Sequence, residues 1–175
     1  MVKFRYLTAD EIECRVGICR ENGLSLLLYK DARCDARILD ETVGPENWQN
    51  AFYEQKGTLF CRVGINVCRD AGTGYHEWVW KADAGSPSNM EAAKGEASDA
   101  FKRACFKWGI GRELYTAPFV WVRGDMATIT KSKSGQWTCN EKFQVAKIAI
   151  YDGRITGLRV VDSAGAVVFS WKESK

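Results

Sequence analysis

Five cations, Lys94, Lys102, Arg103, Lys107 and Arg112, fall within the stretch KGEASDAFKRACFKWGIGRELY, residues 94–115. Lysines and arginines along one helix suit one kind of chemistry, the holding of phosphate oxygens by charge-assisted contacts. A second group lies upstream, where Lys30, Arg33 and Arg37 are interleaved with Asp31, Asp35, Asp40 and Glu41. Internal pairing is the ordinary use of such mixed charges, yet Arg33 and Arg37 are four residues apart and share a helix face. A third pattern suggests different chemistry. Glu54, Gln55 and Lys56, with Asp40 upstream, loosely match the carboxylate-x-lysine arrangement that holds Mg²⁺ in metal-dependent nucleases. Three-residue patterns of this kind arise often by chance, and Glu54 and Lys56 more simply flank a turn.

The rest of the composition narrows the field. A chain of 175 residues, 46% hydrophobic and 27% charged, has the make-up of a globular protein with a real core. Its longest apolar run, LSLLLY, is far short of a membrane span, and no signal-peptide pattern opens the chain. The formal net charge is +3, too weak to announce a nucleic-acid partner, so any anion site must come from local arrangement. The seven cysteines, Cys14, Cys19, Cys34, Cys61, Cys68, Cys105 and Cys139, include no C-x-x-C pair. With a single histidine, His76, they make no ordinary zinc set. They read as small hydrophobes filling a core in a reducing compartment.

Positioning the cations requires particular elements. Residues 90–108 fit a long helix, capped by Ser88 or Asn89 after the loop AGSPSN. At 100° per residue, Met90, Ala93, Ala97, Ala100, Phe101, Ala104, Cys105 and Trp108 fall within roughly 140° of one another, a buried face. Arg103 and Lys107 lie side by side at one edge of that face, Lys94 lies near the other edge, and Lys102 points away. Asp99 stands four residues before Arg103, so a solvated helix face laced with ion pairs is the plain alternative to an anion site. Two features favour the anion site. The four alanines let another backbone approach closely, and Gly109 and Gly111 place Arg112 at an exit where unusual backbone angles are allowed.

Upstream, Thr8 and Glu11 form a capping box for a short helix from about residue 9, and GLSLLLY reads as a buried strand. A helix starts at Asp31, with Cys34, Ile38 and Leu39 inward, and ends at Gly44–Pro45. WQNAFYEQ, TLFCRVGINVC and YHEWVWKAD are three strands, the last two joined as an antiparallel hairpin by RDAGTG. They carry Trp48, Phe52, Tyr53, Tyr75, Trp78 and Trp80. A core accounts for most of these, and base stacking is open to an exposed minority. After Pro118 the pattern turns to short strands: FVWV, MATITK, GQWTC, FQVAKIAIYDG, RITGLRVVDSAG and AVVFSW.

With these segments in order, the chain resembles the Rad fifty-two family of single-strand annealing proteins, especially its compact bacteriophage and prophage forms. KGEASDAFKRACFKWGIGRELY matches the family's pattern of lysine, several residues, Asp, two residues, then Lys-Arg-Ala, with a glycine-bearing exit ending in Leu-Tyr. YKDARCDARILDETVGPENW, residues 29–48, YHE, residues 75–77, and LTADEI follow the family's order. The resemblance covers roughly residues 7–121.

The resemblance implies an α+β fold with a β-β-β-α annealing core, an antiparallel sheet packed on one long helix. Residues 1–121 would form that core and residues 122–175 a C-terminal antiparallel β extension of the same domain. It also implies a homo-oligomer, ring or helical filament, that lays single-stranded DNA in a basic groove and anneals complementary strands in recombination and repair. That activity involves no enzymatic step, cofactor or metal. The family's groove pair carries over to Lys102 and Arg103, and its upstream lysine to Lys94. A family arginine falls on Cys34 here, with Arg33 and Arg37 as neighbouring substitutes. The outer DNA site of the family has a counterpart at Arg69, and its other lysine has no match. Further partners would be a single-strand-binding protein or a recombinase, with no membrane, in bacterial or phage-infected host cytoplasm. The rival readings are the metal-dependent nuclease and a plain oligomeric interaction domain.

Overall fold

Two helices and eleven strands are described in the computed structural model, which covers residues 2–86 and 92–173. In chain order they are β1 (Glu13–Arg20), β2 (Gly23–Tyr29), α1 (Ala32–Val43), β3 (Trp48–Gln55), β4 (Thr58–Asp70), β5 (Tyr75–Ala84) and α2 (Ala92–Trp108). Then follow β6 (Val120–Arg123), β7 (Thr130–Lys131), β8 (Trp137–Thr138), β9 (Phe143–Tyr151), β10 (Arg154–Asp162) and β11 (Val167–Lys172). Every strand pairing among them is antiparallel, so the expected α+β class with antiparallel sheets holds. The chain divides into two compact units: one holds residues up to Arg5 with Asp31–Gly111, the other Tyr6–Lys30 with the chain from Arg112 onward.

In the first unit, local chemistry sets each boundary. Asp31 caps α1 by accepting the Cys34 N–H at 2.7 Å, and Gly44 ends it with φ 85°. Lys56 and Gly57, both at positive φ, make the two-residue turn between β3 and β4. The longer β4–β5 connection is organised by Asp70, whose carboxylate accepts the Gly72 N–H at 2.9 Å and the Thr73 hydroxyl at 2.8 Å. These hydrogen bonds hold its carboxyl below the usual range.

The β3–β4–β5 sheet buries Cys61, Val63 and Ile65 on one side, and α2 packs on β4 and β5. Ala100, Phe101, Ala104 and Cys105 of α2 are buried, as its helical spacing predicts. Trp108 Nε1 donates to the Val63 carbonyl at 2.9 Å, and Phe101 lies 6.0 Å from the Trp48 ring. The helix closes where the Ile110 N–H reaches the Cys105 carbonyl at 3.2 Å, with Gly109 at φ 113°. Ser88, Asn89 and Met90, expected to cap and open this helix, lie outside the described residues.

The second unit is a six-stranded sheet in the order β11-β10-β9-β1-β2-β6, beside the small β7–β8 pair. The C-terminal strands thus share a sheet with the N-terminal hairpin. Leu24, Leu26, Val120, Val122, Phe143, Val145, Leu158 and Val160 are buried in it. Glu113, 2% exposed, accepts the Leu7 N–H at 2.7 Å. Glu113→Ala leaves that buried donor without its acceptor, and a loss of about 1–3 kcal/mol is expected in urea unfolding.

Three local expectations change. The segment from residue 9 forms only a 3₁₀ turn, Ala9–Glu11, with Glu11 accepting the Thr8 N–H at 2.9 Å. ECRVGICR, not anticipated as a strand, is β1, paired with β2 across Glu21–Asn22. MATITK and GQWTC contribute two strand residues each, because β7 and β8 pair only with one another.

Candidate nucleic-acid interface

The end of α2 meets β5 at a charged seam. Asp83 on β5 presents Oδ2 to Arg103 Nε at 3.8 Å and to Lys107 Nζ at 3.6 Å. At those separations the pairs are electrostatic rather than hydrogen-bonded, and each is worth about 0–1 kcal/mol. Both cationic side chains are about half exposed, 48% and 50%. Lys81, two residues before Asp83 and therefore on the same face of β5, donates to the Lys107 carbonyl at 3.0 Å. Its ammonium also sits 4.5 Å from the centre of the Trp108 ring. Lys81, Arg103 and Lys107 therefore gather at one seam, with Asp83 facing the last two.

The remaining candidates are distributed. Lys102, adjacent to Arg103 but about 100° around the helix, is half-buried. Lys94 is exposed in the first described turn of α2, and Arg33 and Arg37 are exposed on α1. Arg69 is exposed at the far end of the β4–β5 hairpin and donates to Glu77 at 2.9 Å. Glu77 precedes Lys81 by four strand residues, about 13 Å, so Arg69 is not part of the seam. In the second unit, Lys30 is 7% exposed at the end of β2, and Arg112 is exposed at the start of a 3₁₀ turn, Arg112–Thr116. Of the nine cations singled out in the sequence, the seam unites Arg103 and Lys107. It adds Lys81, which the alternation of WVWKAD already placed on the same face as Asp83.

The aromatic residues depart from expectation. Phe52, Tyr53, Tyr75, Trp78 and Trp80 are all exposed, and only Trp48 is half-buried. A core therefore does not account for most of them within one chain. For Tyr53, Trp78 and Trp80 the reason is that α2 covers one side of the three-stranded sheet and nothing described covers the other; Phe52, opposite buried Cys61, is exposed on the helix side. Residues opposite in register share a side, which puts Tyr53, Phe60, Arg62, Trp78 and Trp80 together on the bare side. Tyr53 stacks on Phe60 at 5.4 Å, and the Trp78 and Trp80 centroids are 6.2 Å apart. Arg62 lies over Trp80 at 4.6 Å. Gly64 sits beneath Trp80, where a Cβ would come within 2.8 Å of the indole.

The nuclease pattern does not assemble. Glu54 is the penultimate residue of β3, near the Lys56–Gly57 turn, and Asp40 accepts the Trp48 indole N–H at 2.7 Å. Among the described residues no group of three or more His, Cys, Asp or Glu side chains is placed to hold a metal. None of the seven cysteines is in a disulfide: Cys34, Cys61 and Cys105 are buried, Cys68 is exposed, and the others are half-buried. Burial pushes the Cys14 and Cys61 thiols up to about 11. No described helix is long and apolar enough to cross a membrane.

Comparison with known families places this geometry. Residues 20–133, about two thirds of the chain, match the model of the Rad52/22 family double-strand break repair protein. The match runs through α1, the three-stranded sheet and α2, and so includes the α2–β5 seam. The chain belongs to the Rad52/22 family, whose proteins act in DNA recombination and repair, bind DNA and form oligomers. Searches of curated proteins and of solved structures returned no match.

Proposed function

We propose that this protein binds single-stranded DNA along a basic groove of a homo-oligomer, ring or filament, and anneals complementary strands. The α2–β5 seam is the observation that carries this reading: Arg103 and Lys107 face Asp83, and Lys81 is bonded to the Lys107 carbonyl beside them, on elements that the family match covers. To these the reading adds Lys102 and Lys94 on α2, Arg33 and Arg37 on α1, Lys30 and Arg112 as further phosphate contacts, and Arg69 as an outer contact. All of them fall within residues 1–121, the part assigned to annealing, with β3, β4, β5 and α2 as its β-β-β-α core. The bare aromatic side of that sheet supports assembly, because monomers rarely leave so many large aromatics together in water. The protein is of the compact phage or prophage type and works in bacterial cytoplasm alongside a recombinase or single-strand-binding protein.

Annealing of this kind uses no acid, base or metal. Cations neutralise phosphates and lower the repulsion between two strands. Holding a strand extended removes its hairpins and lowers the entropy lost when it meets its complement. A small charge per subunit, repeated around an assembly, makes a continuous track. Each phosphate neutralised adds about 0.7 to the log–log salt slope for single strands.

Asp83 tests the assignment from the opposite direction. Asp83→Ala removes the carboxylate that faces Arg103 and Lys107, so oligonucleotide affinity is expected to rise about two- to fivefold. Fluorescence anisotropy at moderate salt measures this. Weaker binding by a folded Asp83→Ala protein would contradict a phosphate-holding seam.

A further inference from the structure

We infer that the exposed face of β9, β10 and β11 is a second binding surface for the phosphodiester backbone of a single-stranded nucleic acid. These strands lie beyond residues 20–133, so nothing in the family match assigns them a role. Arg159 on β10 stands opposite Lys147 on β9 and Ser170 on β11. One step along, Gly157 stands opposite Ala149 and Lys172. Opposed residues project to the same side, so Lys147, Arg159 and Lys172 form a cationic patch across three strands. All three are exposed, while the alternate residues Leu158 and Val160 of β10 are buried on the other side.

No ion pair joins any of these cations to a described carboxylate. Glu173, the acidic residue that lines the groove, faces Arg154 at 4.0 Å instead. Like charges directly opposite one another in a sheet are destabilising. Lys147 beside Arg159 therefore works against the fold, and an anion lying across the row would offset that repulsion.

The shape suits one strand. Ala149 and Gly157 keep the floor low, leaving an open groove of about 700 Å³. It crosses two interstrand gaps, about 10 Å, a width for one phosphate backbone rather than the two of a duplex. Tyr151, 77% exposed, stands at the end of β9 where the Asp152–Gly153 turn begins. A tyrosine ring beside a cationic track is the combination that stacks an unpaired base while its backbone is held. An acidic peptide would use the cations and leave the ring unused.

The test uses the full chain and a fluorescein-labelled oligothymidine, with anisotropy read over a salt series. Lys147→Ala/Arg159→Ala/Lys172→Ala is expected to lower the log–log slope by about 2 and to weaken binding at least tenfold at moderate salt. Tyr151→Ala is expected to weaken binding about tenfold with the slope unchanged. Circular dichroism should match wild type for both, since the replaced side chains are exposed. A triple variant with wild-type affinity and slope overturns the site, as does a wild type that prefers duplex here. So does a triple variant that loses polyglutamate or anionic-vesicle binding while keeping the oligonucleotide. Repeating the series in a Lys102→Ala/Arg103→Ala background separates the two surfaces. Binding that survives that background and disappears with the triple change supports this site whether or not the α2 groove stands.

Discussion

Replacing Lys102 and Arg103 together by alanine is expected to remove most single-strand affinity while leaving the assembly intact. Neither side chain is in the core: Arg103 is 48% exposed, and Lys102 is half-buried beside it. Folding energy therefore changes little, since exposed charge substitutions stay within about 0.5 kcal/mol. Binding changes far more, because the loss repeats in every subunit that a strand touches. Two phosphate contacts removed per subunit lower the log–log salt slope by about 1.4 for each subunit engaged. An oligonucleotide spanning several subunits should bind at least tenfold more weakly at moderate salt, and annealing of complementary oligonucleotides should slow in step. Size-exclusion chromatography checks that the oligomer persists. A double variant that assembles and binds like wild type shows that the groove lies elsewhere.

Gly85→Ala is expected to destabilise the first unit strongly. A Cβ at this position would sit 2.2 Å from the Glu96 carbonyl oxygen and 3.1 Å from the Ala100 Cβ. Both belong to α2, and the first is backbone, so nothing flexible can move aside. Gly85 also donates its N–H to the Leu59 carbonyl at 2.9 Å, which fixes it to the sheet. The helix must shift away from β5, at a cost of about 3 kcal/mol, or a fall in melting temperature of about 10 °C. That shift would also open the seam between Asp83 and Arg103, so strand binding should weaken with stability. Gly72→Ala is the control. Its added Cβ would meet only the Asp70 carboxylate at 3.3 Å, in an exposed turn, and unfolding should be nearly unchanged.

Much of this was legible because it is local. Asp31 and Gly44 bracket α1 through their own hydrogen bonds and backbone angles, and residue order alone announces both. The apolar spacing of Ala100, Phe101, Ala104 and Cys105 likewise requires a helix with one buried side. Pairing was harder to see. β1 escaped notice because ECRVGICR alternates charged and small residues with only a weak apolar side, and what makes it a strand is β2 across the Glu21–Asn22 turn. The aromatic residues misled for a related reason. A tryptophan's apolar surface argues for burial somewhere, and residue type cannot say whether the covering surface comes from the same chain.

The order of residues alone established the antiparallel α+β character, the family and the cationic helix, because short-range spacing, capping and turn chemistry act between near neighbours. Only the folded chain placed Lys81 and Asp83 against Arg103 and Lys107, left one side of the β3–β4–β5 sheet bare, and set Lys147 opposite Arg159. Those arrangements depend on strand register and on helix-to-sheet packing. They join residues distant in sequence through the burial of shared apolar surface, which no local pattern encodes.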